Sequence, residues 1–248
     1  EVADYILLPG DPDRTDRIAE MLDEVEVRRR HREFVSVTGM PRGLRISVVS
    51  TGIGTDNVEI VMAELLAIVD KPPTLIRIGS CGTLREDIAL GELIVSTGAV
   101  RLEATTKYYV DEGYPAVADY AAVAALLEAA HRTGLPAHAG LTATAPGFYG
   151  PQGRPIPQLP IRYPDLADRM AGQGVVNFEM EASALLTLAA LAGCRAGVVC
   201  TVFAQRREGE FVTGDQKTRA EAGVIDTGLE ALHVLSEMDA QQARSGEK

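Results

Sequence analysis

Gln152 and Arg154 lie two positions apart in a glycine- and proline-rich stretch, a few residues after the aromatic Phe148. An amide offers a donor and an acceptor and a guanidinium offers a fork of donors, so the pair can meet one edge of a flat polar ring while a phenyl ring stacks on its face. That chemistry suits a pyrimidine. Downstream, Asn177-Phe178-Glu179-Met180-Glu181 places two carboxylates on either side of a thioether. A carboxylate that accepts from hydroxyls beside a soft apolar surface suits a sugar.

Anion chemistry is written at two further turns. In Leu7-Leu8-Pro9-Gly10-Asp11-Pro12-Asp13-Arg14, Asp11 can cap a helix that Pro12 opens. Gly10 then leaves backbone N–H groups where the helix dipole favours an anion, and Arg14 can close over it. The plainer reading is a capped helix with a solvated arginine. In Leu75-Ile76-Arg77-Ile78-Gly79-Ser80-Cys81-Gly82 an arginine interrupts an apolar strand. A guanidinium there is costly unless paired, and its partner is either a phosphate oxygen or an internal carboxylate. Ser80 adds a hydroxyl at the strand's C-terminal end, where open α/β sheets place ligands. Gly52 and Gly54 form a GxG that reads first as a tight turn.

These residues need elements to hold them. The runs Tyr5–Leu8, Leu44–Ser50, Thr74–Ile78, Leu93–Ser96, Ala139–Ala143 and Ala196–Phe203 predict strands, several of them apolar on both faces. Alanine and leucine at helical spacing predict helices over Pro12–Leu22, Asn57–Ile68, Ala121–Thr133, Glu179–Leu191 and Thr218–Met238. The alternation predicts one α/β domain over residues 1–248, a central mixed β-sheet flanked by helices. His31-Arg32-Glu33-Phe34 by itself reads as a charged patch leading into an amphipathic strand. Pro146–Pro164 holds six prolines and three glycines, which excludes a regular element and predicts a functional loop. The polar stretch Arg206–Lys217 is a candidate for a mobile lid, and Gln241–Lys248 is expected to be a frayed tail.

With 248 residues and 46% hydrophobic content the chain can bury a large core. A net charge of -11 argues against a surface built for nucleic acid or anionic lipid, so any phosphate must sit in a local basic pocket. Cys81, Cys194 and Cys200 lack metal or disulfide spacing. With no signal peptide and no apolar run of about 18 residues, they point to a cytoplasmic protein.

Together these segments resemble nucleoside phosphorylase family I and, within it, the uridine phosphorylases. Gly10-Asp11-Pro12-x-Arg14, His31-Arg32-Glu33-Phe34, Ser50-Thr51-Gly52-Ile53-Gly54, Arg77-Ile78-Gly79-Ser80, Phe148-x-x-x-Gln152-x-Arg154 and Glu179-Met180-Glu181 occur in the family's order, with similar separations, over nearly the whole chain. The resemblance implies phosphate binding by Gly10, Arg14, Arg77 and Ser80, with Arg32 reaching into a neighbouring subunit's site. It implies uracil binding by Phe148, Gln152 and Arg154, ribose binding by Glu181 and Met180, and a place beside the base for Glu179. The implied reaction is reversible phosphorolysis of uridine to uracil and ribose 1-phosphate in pyrimidine salvage. Arg154, Gln152 and Glu181 are its expected catalytic groups, phosphate is a co-substrate, and no cofactor is expected. The implied assembly is a homodimer with shared sites, usually three dimers in a hexamer. In some relatives residues matching Glu33 and the backbone of Ile53 hold a monovalent cation such as K+, with Ser where Asn57 stands here.

Two departures matter. Purine-cleaving relatives carry an Asp that protonates the base where this chain has Ala204, which favours a pyrimidine substrate. Relatives also place a histidine ahead of the first strand to reach the ribose 5′-hydroxyl, whereas the histidines here are His31, His131, His138 and His233. Because the chain opens at Glu1, a short leader carrying that histidine is one expectation; doing without it is the other. A purine phosphorylase, a hydrolytic nucleosidase and a non-catalytic nucleoside sensor are the competing readings.

Overall fold

In the computed structural model, residues 1–246 are described. Strands and helices follow in the order β1 (Tyr5–Pro9), α1 (Pro12–Ala19), β2 (Val25–His31), β3 (Phe34–Gly39), β4 (Ile46–Val49), α2 (Thr55–Leu66), β5 (Thr74–Thr83) and β6 (Leu93–Arg101). After them come β7 (Ala116–Val117), α3 (Tyr120–Thr133), β8 (Ala137–Thr144), α4 (Leu166–Gly172), β9 (Val175–Glu179), α5 (Ala182–Leu191), β10 (Arg195–Gln205), β11 (Glu210–Phe211) and α6 (Gly214–Ser245). No helix among the described residues is long and apolar enough to cross a membrane.

All the strands join one mixed sheet, as predicted. Part of it closes on itself: β5 pairs with β10, β10 with β6, β6 with β8, β8 with β9, and β9 with the end of β5. From this five-stranded ring the sheet continues through β1, β4, β3 and β2. Alternation along the strands sends side chains into two cores. Ile6 and Leu8 face α2 and α5, whereas Leu7 faces α1, α3 and α6. The approach of α6 is so close that a Cβ at Gly228 would stand 2.4 Å from Ile78 Cγ2 and 2.9 Å from Leu7 Cδ1.

The predicted strands are present, several of them longer than expected, and the differences have physical causes. Strand β2 was missed because it is an exposed edge, Val-Glu-Val-Arg-Arg-Arg-His, with no apolar face to reveal it. Strand β9 was missed because its apolar residues run straight into those of α5. The helix expected from Glu179 begins instead at Ala182, and Glu179 closes the strand. Similarly, α2 starts at Thr55 rather than Asn57, while α1 stops at Ala19. The polar stretch 206–217 holds the turn of a hairpin: β11 pairs with β10 through Ala204↔Phe211 and Gln205↔Glu210, and α6 begins at Gly214. Of the expected frayed tail, 241–245 continue α6, whereas 247 and 248 lie outside the described residues.

Register brings the chemistry together. Leu8 of β1, Arg77 of β5 and Val198 of β10 lie abreast, so the C-terminal ends of β1 and β5 emerge side by side. Antiparallel pairing of Gly82 with Phe178 turns the end of β9 toward the same place. The register between β10 and β5 shifts between Val202 and Ala204, a bulge that re-aims Phe203.

Candidate active site

A cavity of about 850 Å³ opens where these strand ends meet. Its wall includes Gly10, Arg14, Arg77, Ser80, Phe148, Gln152, Arg154, Glu179, Met180 and Glu181, so segments far apart in the sequence converge as expected. Arg32 is not part of this wall. It stands exposed at the turn between β2 and β3 with φ 54, a left-handed backbone that is strained for a side chain of this kind.

At one end of the cavity two arginines are held by carboxylates. Asp11 caps α1, accepting from the Asp13 N–H at 2.9 Å, and Pro12 opens the helix, as read from the turn. Arg14 is buried rather than solvated, with Glu221 Oε1 at 3.6 Å; the other oxygen of Glu221 accepts from Arg17. Arg77 donates to Glu181 Oε2 and lies 3.8 Å from Glu179 Oε2, so its partner within the chain is a carboxylate pair. Burial opposes the charge of Arg77, but Glu181 and Glu179 outweigh it and raise its proton affinity. The second Glu181 oxygen accepts from the Gly54 N–H at 2.7 Å. Gly10 is closely approached: a Cβ there would stand 3.2 Å from the Gly52 carbonyl and 3.7 Å from both terminal Arg77 nitrogens. The Nε donors of Arg14 and Arg77 are buried without an acceptor, and Ser80 is exposed beside them. Unmet donors on buried cations are what an oxyanion satisfies.

Glu179 lines the cavity and also holds the start of a helix. Its Oε2 accepts from the N–H groups of Glu181 and Ala182, both at 2.8 Å, and its Oε1 accepts from Thr144 at 2.6 Å. These are the opening N–H groups of α5, so Glu179 acts as the helix's cap and fixes where Glu181 points. Burial, reinforced by Glu181 nearby, pushes its carboxyl up to about 7.

The opposite end of the cavity is built on another principle. Gln152 is buried although it sits in the proline-rich loop, where a turn of 3-10 helix over Gly150–Gln152 and a left-handed Gly153 bend the chain inward. Arg206 donates to Gln152 Oε1 at 3.0 Å and to the Gln152 carbonyl at 2.6 Å. A guanidinium has only donors, so this contact fixes the amide: the oxygen faces Arg206, and the NH2 and one lone pair remain for a ligand. Arg154 stacks on the Phe148 ring at 4.2 Å. Among the described residues neither Arg154 nor Arg206 has a carboxylate within ion-pair distance. Burial lowers the proton affinity of Arg154, and burial with Arg154 alongside pushes Arg206 down to about 10. A guanidinium in the cavity wall without a carboxylate, with a second one behind Gln152, favours an anionic or electron-rich planar ligand.

Ala204 lines the cavity. The Ile53 carbonyl, a candidate cation ligand with Glu33, accepts from the Asn57 amide at 3.0 Å, which takes one of its lone pairs. Arg206, Phe203, Phe211, Lys217 and Glu221 also line the site or brace it, and sequence reasoning gave none of them a role. Glu221 carried a readable signal: a charge beside Ala220, Val224 and Ile225 on the buried face of a helix. Arg206 and Phe211 carried none, because their roles depend on the hairpin that returns beneath Gln152 and Arg154.

Known proteins can be set beside this geometry. The family model described as Phosphorylase superfamily matches residues 4–230. A uridine phosphorylase from Thermococcus kodakarensis is 44% identical over 250 residues, covering 100% of this chain and 88% of the relative. A guanosine phosphorylase from Halorubrum lacusprofundi is 34% identical, covering 88% and 83%. Among solved structures, a Trypanosoma brucei nucleoside phosphorylase described as showing uridine phosphorylase activity superposes with a TM-score of 0.85 at 28% identity, covering 94% of both chains.

Proposed function

The chain belongs to the phosphorylase superfamily, and we propose that its cavity catalyses the reversible phosphorolysis of uridine to uracil and ribose 1-phosphate, a pentosyl transfer. The observation that carries this reading is the base end: Gln152 with its amide fixed by Arg206, Arg154 free of any carboxylate among the described residues, and Ala204 in place of an acid. A purine leaving group needs a proton. Uracil leaves as an anion spread over its carbonyl oxygens, which guanidinium and amide donors stabilise directly.

The mechanism follows from charge. As the glycosidic bond lengthens, the sugar gains oxocarbenium character and the base gains negative charge, so the groups that matter bind both halves more tightly in the transition state. Arg154 and Gln152 hold the departing base, and the Phe148 ring, which carries the Arg154 guanidinium, borders it in the cavity wall. Glu181, fixed by Gly54 and Arg77, orients the ribose through its hydroxyls while Met180 packs on the sugar. Phosphate, held by Gly10, Arg14, Arg77 and Ser80, is the nucleophile and the counter-charge beneath the sugar. Arg14 and Arg77 already bear carboxylates, so an incoming phosphate shares them rather than meeting bare cations.

The same reading makes the enzyme a homo-oligomer whose dimer shares its sites, assembling as a hexamer. Its support is the placement of Arg32, exposed on an outward turn and absent from its own chain's cavity. It also places the protein in a reducing cytoplasm, where the buried free thiols of Cys81, Cys194 and Cys200 stay reduced. Ultraviolet-monitored cleavage of uridine, inosine and guanosine, each at saturating phosphate, tests the substrate. Cleavage of uridine is expected; cleavage of inosine or guanosine alone would move the protein to the purine branch that the Halorubrum relative represents.

A further inference from the structure

Two aromatic rings lie within reach of the Arg154 guanidinium. The Arg154 Cζ lies 4.2 Å from the Phe148 ring centroid and 5.5 Å from that of Phe211, within the range of cation–π attraction. Phe211 belongs to β11, attached to β10 by Ala204↔Phe211 and Gln205↔Glu210, with the Val212 N–H donating to the Phe203 carbonyl at 2.9 Å. The same hairpin carries Arg206, which orients Gln152. One short β-turn region therefore governs both base-reading side chains, and it lies more than fifty residues away from them in sequence.

Resting on the uridine reading, we propose that Phe211 is a positioning residue of the reaction: its ring and that of Phe148 clamp the Arg154 guanidinium along the base edge without a carboxylate. The physical need is specific. A carboxylate partner would orient Arg154 equally well, but it would cancel the charge that the departing uracil anion requires. An aromatic face orients the guanidinium through its quadrupole and leaves its net charge intact. The contrast with the phosphate end, where Glu221 and Glu181 orient Arg14 and Arg77, shows that this fold uses carboxylates where neutralisation is tolerated.

The test compares the wild-type enzyme with Phe211→Leu, which keeps apolar bulk but has no π face, and with Phe211→Tyr, which keeps the face. Steady-state constants are measured on uridine and on 5-fluorouridine, whose base is more acidic and leaves with less assistance. Phe211→Leu is expected to lower kcat on uridine roughly 3- to 30-fold, the range that loss of a cation–π contact implies. The KM for phosphate stays unchanged, the loss is smaller on 5-fluorouridine, and Phe211→Tyr restores most of the rate. A Leu variant equal to wild type, a Tyr variant as slow as Leu, or an equal loss on both substrates would overturn the inference alone. A wild-type enzyme inert toward uridine and phosphate would overturn the uridine reading and this inference with it.

Discussion

The arginines of the site differ in what holds them, and that difference sets their roles. Arg154 stacks on Phe148 with Phe211 nearby and has no carboxylate partner among the described residues, so Arg154→Ala should lower kcat on the order of 10²-fold or more, as loss of a preorganised oxyanion donor does, with the KM for phosphate little changed. Steady-state kinetics with uridine and phosphate varied independently check this, and a mutant as active as the parent would remove Arg154 from the mechanism. Glu179 predicts a pH effect on stability. Its folded pKa of about 7 lies above the ordinary 4.5, so the folded protein keeps a proton that the unfolded chain has released between those values. That contribution is fully present below about pH 4.5 and is lost as pH rises through 7. Urea midpoints at pH 5 and pH 7 should therefore fall less in Glu179→Gln than in wild type; identical slopes would contradict it. The Asp11 cap was legible from the residues of its turn, whereas Gln152 and Arg154 stood out only through the motif spacing shared with the family. Glu179 was legible as a carboxylate but not as a cap, because the break between β9 and α5 is hidden in one apolar run.

Elements place these residues, and their visibility depended on which faces they bury. Strands covered on both sides announced themselves as apolar runs, whereas edge strand β2 is charged and the two-residue β11 is too short for any pattern. The hairpin that carries Arg206 to Gln152 owes its place to pairing rather than to composition. Helix α6 shows the reverse case, a residue whose local preference is overridden by packing. Gly228 lies mid-helix, where Ala is favoured by about 1 kcal/mol, yet a Cβ there would strike Ile78 and Leu7. Gly228→Ala should therefore destabilise the protein by about 1–3 kcal/mol, the usual effect of overpacking. Chemical denaturation checks the sign, and a stabilised variant would show that α6 can shift away from β1 and β5.

For the whole molecule, the sheet that closes on itself through β5, β10, β6, β8 and β9 gathers strand ends from separate parts of the chain into one cavity. The sequence announced an α/β domain with a mixed sheet but not this closure, since ring pairing depends on partners that no local period encodes. Arg32 gives the assembly its test. If it completes a partner's site, then Arg32→Ala and Arg154→Ala, each impaired alone, should regain activity when co-assembled, because one site of each mixed dimer receives both intact residues. No gain from a preparation shown to contain mixed oligomers would confine each site to one chain. The central claim is phosphate-dependent cleavage of uridine, and the most direct measurement follows uridine with and without phosphate by ultraviolet absorbance together with phosphorus NMR. Uracil and ribose 1-phosphate appearing in equal amounts, and only with phosphate, is the predicted result. Free ribose formed at the same rate without phosphate would make the enzyme a hydrolase, and binding without any cleavage would make the protein a sensor.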